Sequence, residues 1–281
     1  MQRVQTKREL QKTLVKLRAQ GSLGLVPTMG ALHKGHASLI ERSARENAHT
    51  VVSIFVNPTQ FNNQADLQHY PRTAEADLDL IRAIAPNALV FSPSVAEMYT
   101  QDPSPKTYDF HGLDKVMEGA FRDDHFNGVG TVVEMLLRLV APQKAYFGEK
   151  DFQQLRIVQK LTKTLNLPVD IVGCPIVREA NGLAMSSRNE RLSPEARQRA
   201  GIIHQTLTTA KEKFGTESVL EVKEWAKGVF DALPRFTLEY LEIADVDTLT
   251  PANKKQKGTA YRAFMAVYLE DVRLIDNMAM N

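Results

Sequence analysis

Over its first two-thirds this chain alternates short apolar runs with helix-length amphipathic stretches, an order that few architectures accommodate. It favours a parallel sheet covered by helices. The runs predict strands at residues 22–26, 50–55, 88–91, 145–147 and 169–172, and helices at 35–47, 73–85, 130–140 and 149–165. After about residue 176 the pattern changes. Two helices are expected at 194–214 and 217–233, the first entered through Ser193-Pro194-Glu195 and the second capped by Thr216. Strand-like runs follow at 236–243, 260–268 and 272–275. The expected fold class is α/β: a Rossmann-like parallel sheet with helices on both faces over residues 1–175. A smaller α+β lid domain is expected over 176–281.

Charge narrows the possible partners. Lys and Arg total 35 against 33 Asp and Glu, for a net charge of +2 in 281 residues. The closest approach to a basic run, Lys254-Lys255-Gln256-Lys257, reads as a solvated loop, so no nucleic-acid partner is indicated. The single cysteine, Cys174, excludes an intramolecular disulfide and reads as a small core residue. No stretch is long enough to span a bilayer, and the basic residues at the start precede no apolar signal core. A cytoplasmic protein with no membrane partner is expected.

The segment Leu25-Val26-Pro27-Thr28-Met29-Gly30-Ala31-Leu32-His33-Lys34-Gly35-His36 carries the strongest chemical signal. An apolar strand enters a glycine-punctuated turn, and two histidines three residues apart stand where a helix begins. Glycines let the backbone approach a ligand, and the first helical turn offers N–H groups and a positive dipole end. Imidazoles beside such groups suit a polyphosphate whose charge changes during reaction. A zinc reading is weaker, because no third ligand stands at metal-like spacing. On the helix that follows, His36, Leu39, Ile40, Ser43, Ala44 and Asn47 share one face.

Three further segments hold candidate ligand-binding groups. After the second strand, Asn57-Pro58-Thr59-Gln60 brings Asn57, read as a turn cap, and Gln60, which has no such local role and suits a substrate. Phe147-Gly148-Glu149-Lys150-Asp151-Phe152-Gln153-Gln154 again runs from a strand through a glycine into a helix. Helical spacing would put Lys150, Asp151 and Gln154 on one face, the cation toward phosphate and the others toward hydroxyls. Acids at a helix start are also ordinary, which explains Glu149 and Asp151 but not Lys150. The loop Val177 to Asn189 ends in Met185-Ser186-Ser187-Arg188, a hydroxyl and guanidinium set suited to phosphate. Gly128-x-Gly130 lacks the third glycine and the acidic partner of a dinucleotide fingerprint and is rejected.

Together these motifs resemble the pantoate–β-alanine ligases (pantothenate synthetases) of the nucleotidyl-transferase superfamily. The resemblance runs through residues 26–36, 53–61, 70–73, 91–99, 125–133, 147–154, 177–189 and 273–277. It implies a Rossmann-like domain with a small lid, a homodimer, and an Mg2+-dependent condensation of ATP-activated pantoate with β-alanine through pantoyl adenylate. By the same resemblance Met29, Gly30, Ala31, Leu32, His33, Lys34, Gly35 and His36 cradle ATP, with His36 as proton donor beside His33. Gly148, Glu149, Lys150 and Asp151 would bind ATP, Lys150 bridging the reacting phosphate and carboxylate. Gln60 and Gln154 would hold pantoate, and Gln60 would also meet β-alanine. Val177 would meet adenine through its backbone, and Met185, Ser186, Ser187 and Arg188 would close over the phosphates.

The chain departs from the resemblance in places. Arg122-Asp123-Asp124-His125-Phe126 stands where members usually carry Arg-Pro-Gly-His-Phe, so the local loop shape is open. Asn181 replaces a common Asp, a change expected to be tolerated on an exposed turn. Asp77, after Tyr-Pro-Arg-Thr, is the expected Mg2+ neighbour, with pyrophosphate oxygens supplying other ligands. The alternative is a nucleotidyltransferase of the same superfamily acting on another small acceptor. Paired Gln60 and Gln154 argue against it, since a phosphorylated acceptor would call for more cations.

Overall fold

The structure, a computed structural model, describes residues 1–61 and 67–281. The chain folds into two compact units: residues 1–114, 122–149 and 154–175, and residues 115–121, 150–153 and 176–281. The short stretches 115–121 and 150–153 thus belong with the C-terminal residues, although they precede residue 176 in sequence.

In the first unit the described strands are β1 (Gln2–Val4), β2 (Leu23–Thr28), β3 (His49–Ile54), β4 (Leu89–Phe91), β5 (Lys144–Gly148) and β6 (Asp170–Cys174). They form one parallel sheet in the order β1-β4-β3-β2-β5-β6. The helices between them are α1 (Lys7–Arg18), α2 (Lys34–Glu46), α3 (Ala74–Ile84), α4 (His125–Val140) and α5 (Phe152–Thr164). The chain order reverses between β2 and β5, the point where open α/β sheets bind ligands beyond their carboxyl ends. Pairing separates the strands there: β2 matches β3 along six residues, but its registered pairs with β5 are Gly24–Lys144 and Leu25–Ala145.

The expected strands and helices of this unit are present, with their ends moved by a few residues. Strand β1 was not expected; three residues with Val4 alone buried carry no period to detect. Helix α4 starts at His125, five residues before the expected Gly130. Gly128 and Gly130 therefore lie inside a buried helix rather than on a phosphate turn. A Cβ on Gly128 would stand 2.2 Å from the Thr59 carbonyl oxygen, so this glycine allows the helix to press against the turn after β3. Leu39 and Ile40 of α2 lie in the core with Val26, Val52, Ile81 and Cys174. Each such side chain stabilises by roughly 1.5–3 kcal/mol. Cys174 is buried, as expected of a core residue, and burial pushes its thiol pKa up.

The second unit packs helices α6 (Pro194–Arg199), α7 (Ile202–Phe214) and α8 (Val219–Asp231) with an antiparallel sheet, β7 (Phe236–Asp245), β8 (Tyr261–Leu269) and β9 (Val272–Ala279). Ile203, Leu207, Phe214, Val222 and Phe230 meet Leu241, Ile243, Met265 and Val267 in its core. Two expectations are corrected here. The single helix at 194–214 is divided around Ala200 and Gly201. The cap of α8 is Ser218, not Thr216: the Ser218 hydroxyl accepts the Glu221 N–H while the Glu221 carboxylate accepts the Ser218 N–H. That reciprocal box satisfies two donors where Thr216 would satisfy one. Among the described residues no helix is long and apolar enough to cross a membrane.

Candidate active site

From the end of β2 the backbone turns sharply. Gly30 and Ala31 both have positive φ, +81° and 49°. The left-handed region costs a residue with a Cβ about 1–2 kcal/mol, so Ala31 needs an external hold. The buried carboxylate of Asp77, in the first turn of α3, provides it. Its Oδ2 accepts the Ala31 N–H at 3.0 Å, and its Oδ1 accepts the Leu32 N–H at 2.8 Å and the Thr73 hydroxyl at 3.0 Å. A Cβ on Gly30 would come within 3.0 Å of Oδ2, so glycine there leaves room for the anchor. Three donors thus fix this carboxylate as the anchor of the loop. Among the described residues no three His, Cys, Asp or Glu side chains gather as a metal site.

The turn delivers the two histidines to α2 as its cap. His33 is the N-cap residue, its Nδ1 accepting the Gly35 N–H at 3.1 Å. His36 reaches back, its Nδ1 accepting the His33 N–H at 3.3 Å. The ring centroids lie 4.1 Å apart. An Nδ1 that accepts a main-chain N–H carries no proton, so in each neutral ring the proton sits on Nε2. Two imidazole N–H donors thus stand at a helix start with positive dipole character. The expected helix face holds in part: Leu39, Ile40 and Ser43 are buried and Asn47 is the C-cap, but Ala44 is exposed and Ala37 is buried instead.

Beyond β3, Asn57 caps the short 3-10 turn Pro58–Gln60, as expected. Its Oδ1 accepts the Tyr99 hydroxyl at 2.6 Å, and its Nδ2 donates to the Gly128 carbonyl at 3.1 Å. Gln60 is buried, and its Nε2 reaches the Met29 sulfur at 2.8 Å, which ties it to the histidine turn. Sequence reasoning missed what holds Gln60 from behind. Its carbonyl accepts His125 Nδ1 at 2.8 Å and Arg122 at 3.4 Å. Asp124, at φ 58°, precedes α4 in the left-handed region. An Asp visits that region more readily than most residues, so the turn forms without the usual Pro-Gly. A lone histidine beside an apolar helix gave no sequence signal for this contact.

Glu149–Asp151 forms a 3-10 turn, and α5 begins only at Phe152. The α-helical face expected for Lys150, Asp151 and Gln154 is therefore interrupted. Gln154 lies in the first turn of α5 and is half-buried, as are Gly148 and Glu149. In the second unit, the Lys150 side chain is mostly buried, with Nζ 3.7 Å from Asp151 Oδ1, while Asp151 is exposed.

Residues 177–189 form a small hairpin of the second unit. The Val177 carbonyl accepts the Met185 N–H at 2.9 Å, and Arg178 bridges Ala184. Ser186 caps the 3-10 turn Ser187–Arg191, accepting the Arg188 N–H at 3.2 Å. Asn189 fastens this turn to the hairpin through Glu179 and the Ala184 carbonyl. Asn181 is not the exposed residue expected. It is half-buried, and its Nδ2 donates to the Arg197 and Gln198 carbonyls at the end of α6, which an Asp carboxylate cannot do.

A parallel sheet whose switch point lies beside a histidine-capped helix defines an α/β protein of the Rossmann-like class. The family follows from comparison with known proteins. This chain belongs to the pantoate–β-alanine ligase family, whose sequence model matches residues 2–279. It is 50% identical over 282 residues to the pantothenate synthetase of Christiangramia forsetii, covering 100% of both chains. The crystal structure of pantothenate synthetase from Thermus thermophilus matches with a TM-score of 0.92 and 42% identity, over 100% of this chain and 99% of that one. The Francisella tularensis pantoate–β-alanine ligase, complexed with β-γ ATP and β-alanine, matches with a TM-score of 0.82 and 33% identity, over 100% and 98%.

Proposed function

We propose that this chain joins pantoate to β-alanine in two steps, through a pantoyl adenylate. In the first, a pantoate carboxylate oxygen attacks the α-phosphorus of MgATP; the new acyl–phosphate bond forms as the Pα–O–Pβ bond breaks and pyrophosphate leaves. In the second, the neutral amine of β-alanine attacks the acyl carbon, loses a proton and expels AMP. No protein nucleophile is needed, so the residues contribute position and charge stabilisation.

The observation that carries the reading is the imidazole cap of α2. His33 and His36 spend Nδ1 on main-chain amides and keep Nε2–H as the donor. Donors of that kind, with the backbone of Met29, Gly30, Ala31, Leu32, Lys34 and Gly35, suit the triphosphate and the charge that develops on it. Gln60 is assigned to pantoate and β-alanine, and Gln154 to pantoate. Gly148, Glu149, Lys150 and Asp151 are assigned to ATP, with the Lys150 ammonium drawing the two anionic reactants together. Val177, Met185, Ser186, Ser187 and Arg188 are assigned to adenine and the phosphates. The metal enters as part of the substrate, on phosphate oxygens, and Asp77 is read as the anchor of the turn. The working form is read as a cytoplasmic homodimer.

The test is AMP release from MgATP with and without each substrate, using pantoate labelled with 18O in its carboxylate. One labelled oxygen should appear in AMP. No AMP above the pantoate-free control would sink the function, and unlabelled AMP would sink the adenylate.

A further inference from the structure

The ammonium of Lys150 is useful only if its short 3-10 turn stays in place. One hold on that turn comes from β9. The Asn277 side-chain Nδ2 donates to the Lys150 carbonyl at 2.9 Å, and Asn277 is almost completely buried. The orientation of that amide is chemically forced. Arg262 donates to Asn277 Oδ1, and a guanidinium can only donate, so Nδ2 must face the carbonyl. The Arg262 guanidinium also lies 4.0 Å above the Phe152 ring, two residues beyond Lys150. The neighbouring strand residue holds Arg178, on the hairpin that carries the other phosphate-binding candidates. Buried Asp276 accepts both terminal nitrogens of Arg178, at 2.6 and 3.0 Å, and also the Asn277 N–H at 2.8 Å. Arg178 follows Val177 on the hairpin that leads to Ser186, Ser187 and Arg188.

We infer that Asn277 is a positioning residue for Lys150, and that the Asp276–Asn277 pair holds the ammonium and the Val177–Arg188 hairpin in fixed register on one strand. The inference rests on the proposed role of Lys150. A bare structural role for Asn277 would lower stability without reference to Lys150. A positioning role works through the ammonium, where a shift of about 1 Å costs on the order of 10²-fold in rate.

A double-mutant cycle separates the two, with pyrophosphate release read in single turnover on the full chain so that slow variants remain measurable. Asn277→Ser should lower the rate roughly 10- to 100-fold, with the KM values for MgATP and pantoate moving less than about threefold. In the Lys150→Ala background the same substitution should cost less than about threefold. Equal losses in both backgrounds, or an Asn277→Ser rate within about twofold of the parent, would overturn the inference. A Lys150→Ala enzyme as fast as the parent would instead overturn the role of Lys150 itself. Should Asn277→Ser fail to fold by circular dichroism, Arg262→Met decides by the same cycle, since it keeps apolar packing on Phe152 but releases the Asn277 amide to rotate.

Discussion

His36 accepts the main-chain N–H of His33 through Nδ1, so the ring that begins the helix and the ring one turn on are locked by the same cap. Capping uses Nδ1 of the His36 imidazole, and the proposed chemistry uses Nε2. That separation makes the two roles experimentally distinguishable. In His36→Ala both are lost: a rate lower by roughly 10²–10⁴-fold and a stability lower by about 1 kcal/mol. His36→Asn keeps a side-chain acceptor for the His33 N–H but has no Nε2–H. It should unfold close to the parent temperature and remain as slow as His36→Ala; a fast His36→Asn enzyme would remove the imidazole from the mechanism.

Asp77 anchors Ala31 and Leu32. Asp77→Ala leaves two amides without their acceptor, at a cost of about 1–3 kcal/mol. It should raise the KM for MgATP well before it changes the Mg2+ concentration that half-activates the enzyme. Magnesium titrations at several ATP concentrations check this. A shifted Mg2+ midpoint with an unchanged nucleotide KM would restore Asp77 as a metal ligand.

His125 donates to the Gln60 carbonyl from Nδ1. In His125→Leu that carbonyl loses a buried donor, and Gln60 is freer to move. The expected result is a KM for pantoate higher by roughly tenfold, equivalent to about 1.4 kcal/mol, with the KM for MgATP much less affected. Steady-state kinetics with each substrate varied in turn decides it.

Glu134 is buried, and burial alone would push its pKa up. Donors from Lys106, Tyr108 and Arg138 outweigh that and hold it at about 2. Its folded pKa is therefore below the unfolded one. The stability it contributes is present above about pH 4.5 and is lost as pH falls toward 2, because the unfolded chain takes up the proton first. Glu134→Gln should be less stable at neutral pH and show a flatter decline between pH 5 and 2. Urea unfolding across that range measures both; an unchanged slope would exclude Glu134 as a source of acid sensitivity.

Much of this was legible in the chain, because periodicity and local chemistry are written in short stretches. Alternating apolar runs and helices require a parallel sheet wherever both faces must be buried, and the strand–glycine–histidine order marks a helix start. Cap identity was less secure. Thr216 and Ser218 are both good caps, and the reciprocal Glu221 bond is what favours Ser218.

The sequence by itself determined the parallel sheet, the histidine turn beside it, and the donor chemistry of Lys150 and the Ser186–Arg188 turn. The tertiary structure alone decided which remote groups hold those donors: Asp77 for Ala31 and Leu32, His125 for Gln60, Asn277 for Lys150. The physical reason is the separation along the chain, 46, 65 and 127 residues for Ala31–Asp77, Gln60–His125 and Lys150–Asn277. Propensity and hydrophobic period act over a few turns of chain, whereas a buried donor or acceptor is satisfied by whatever the folded core brings alongside it.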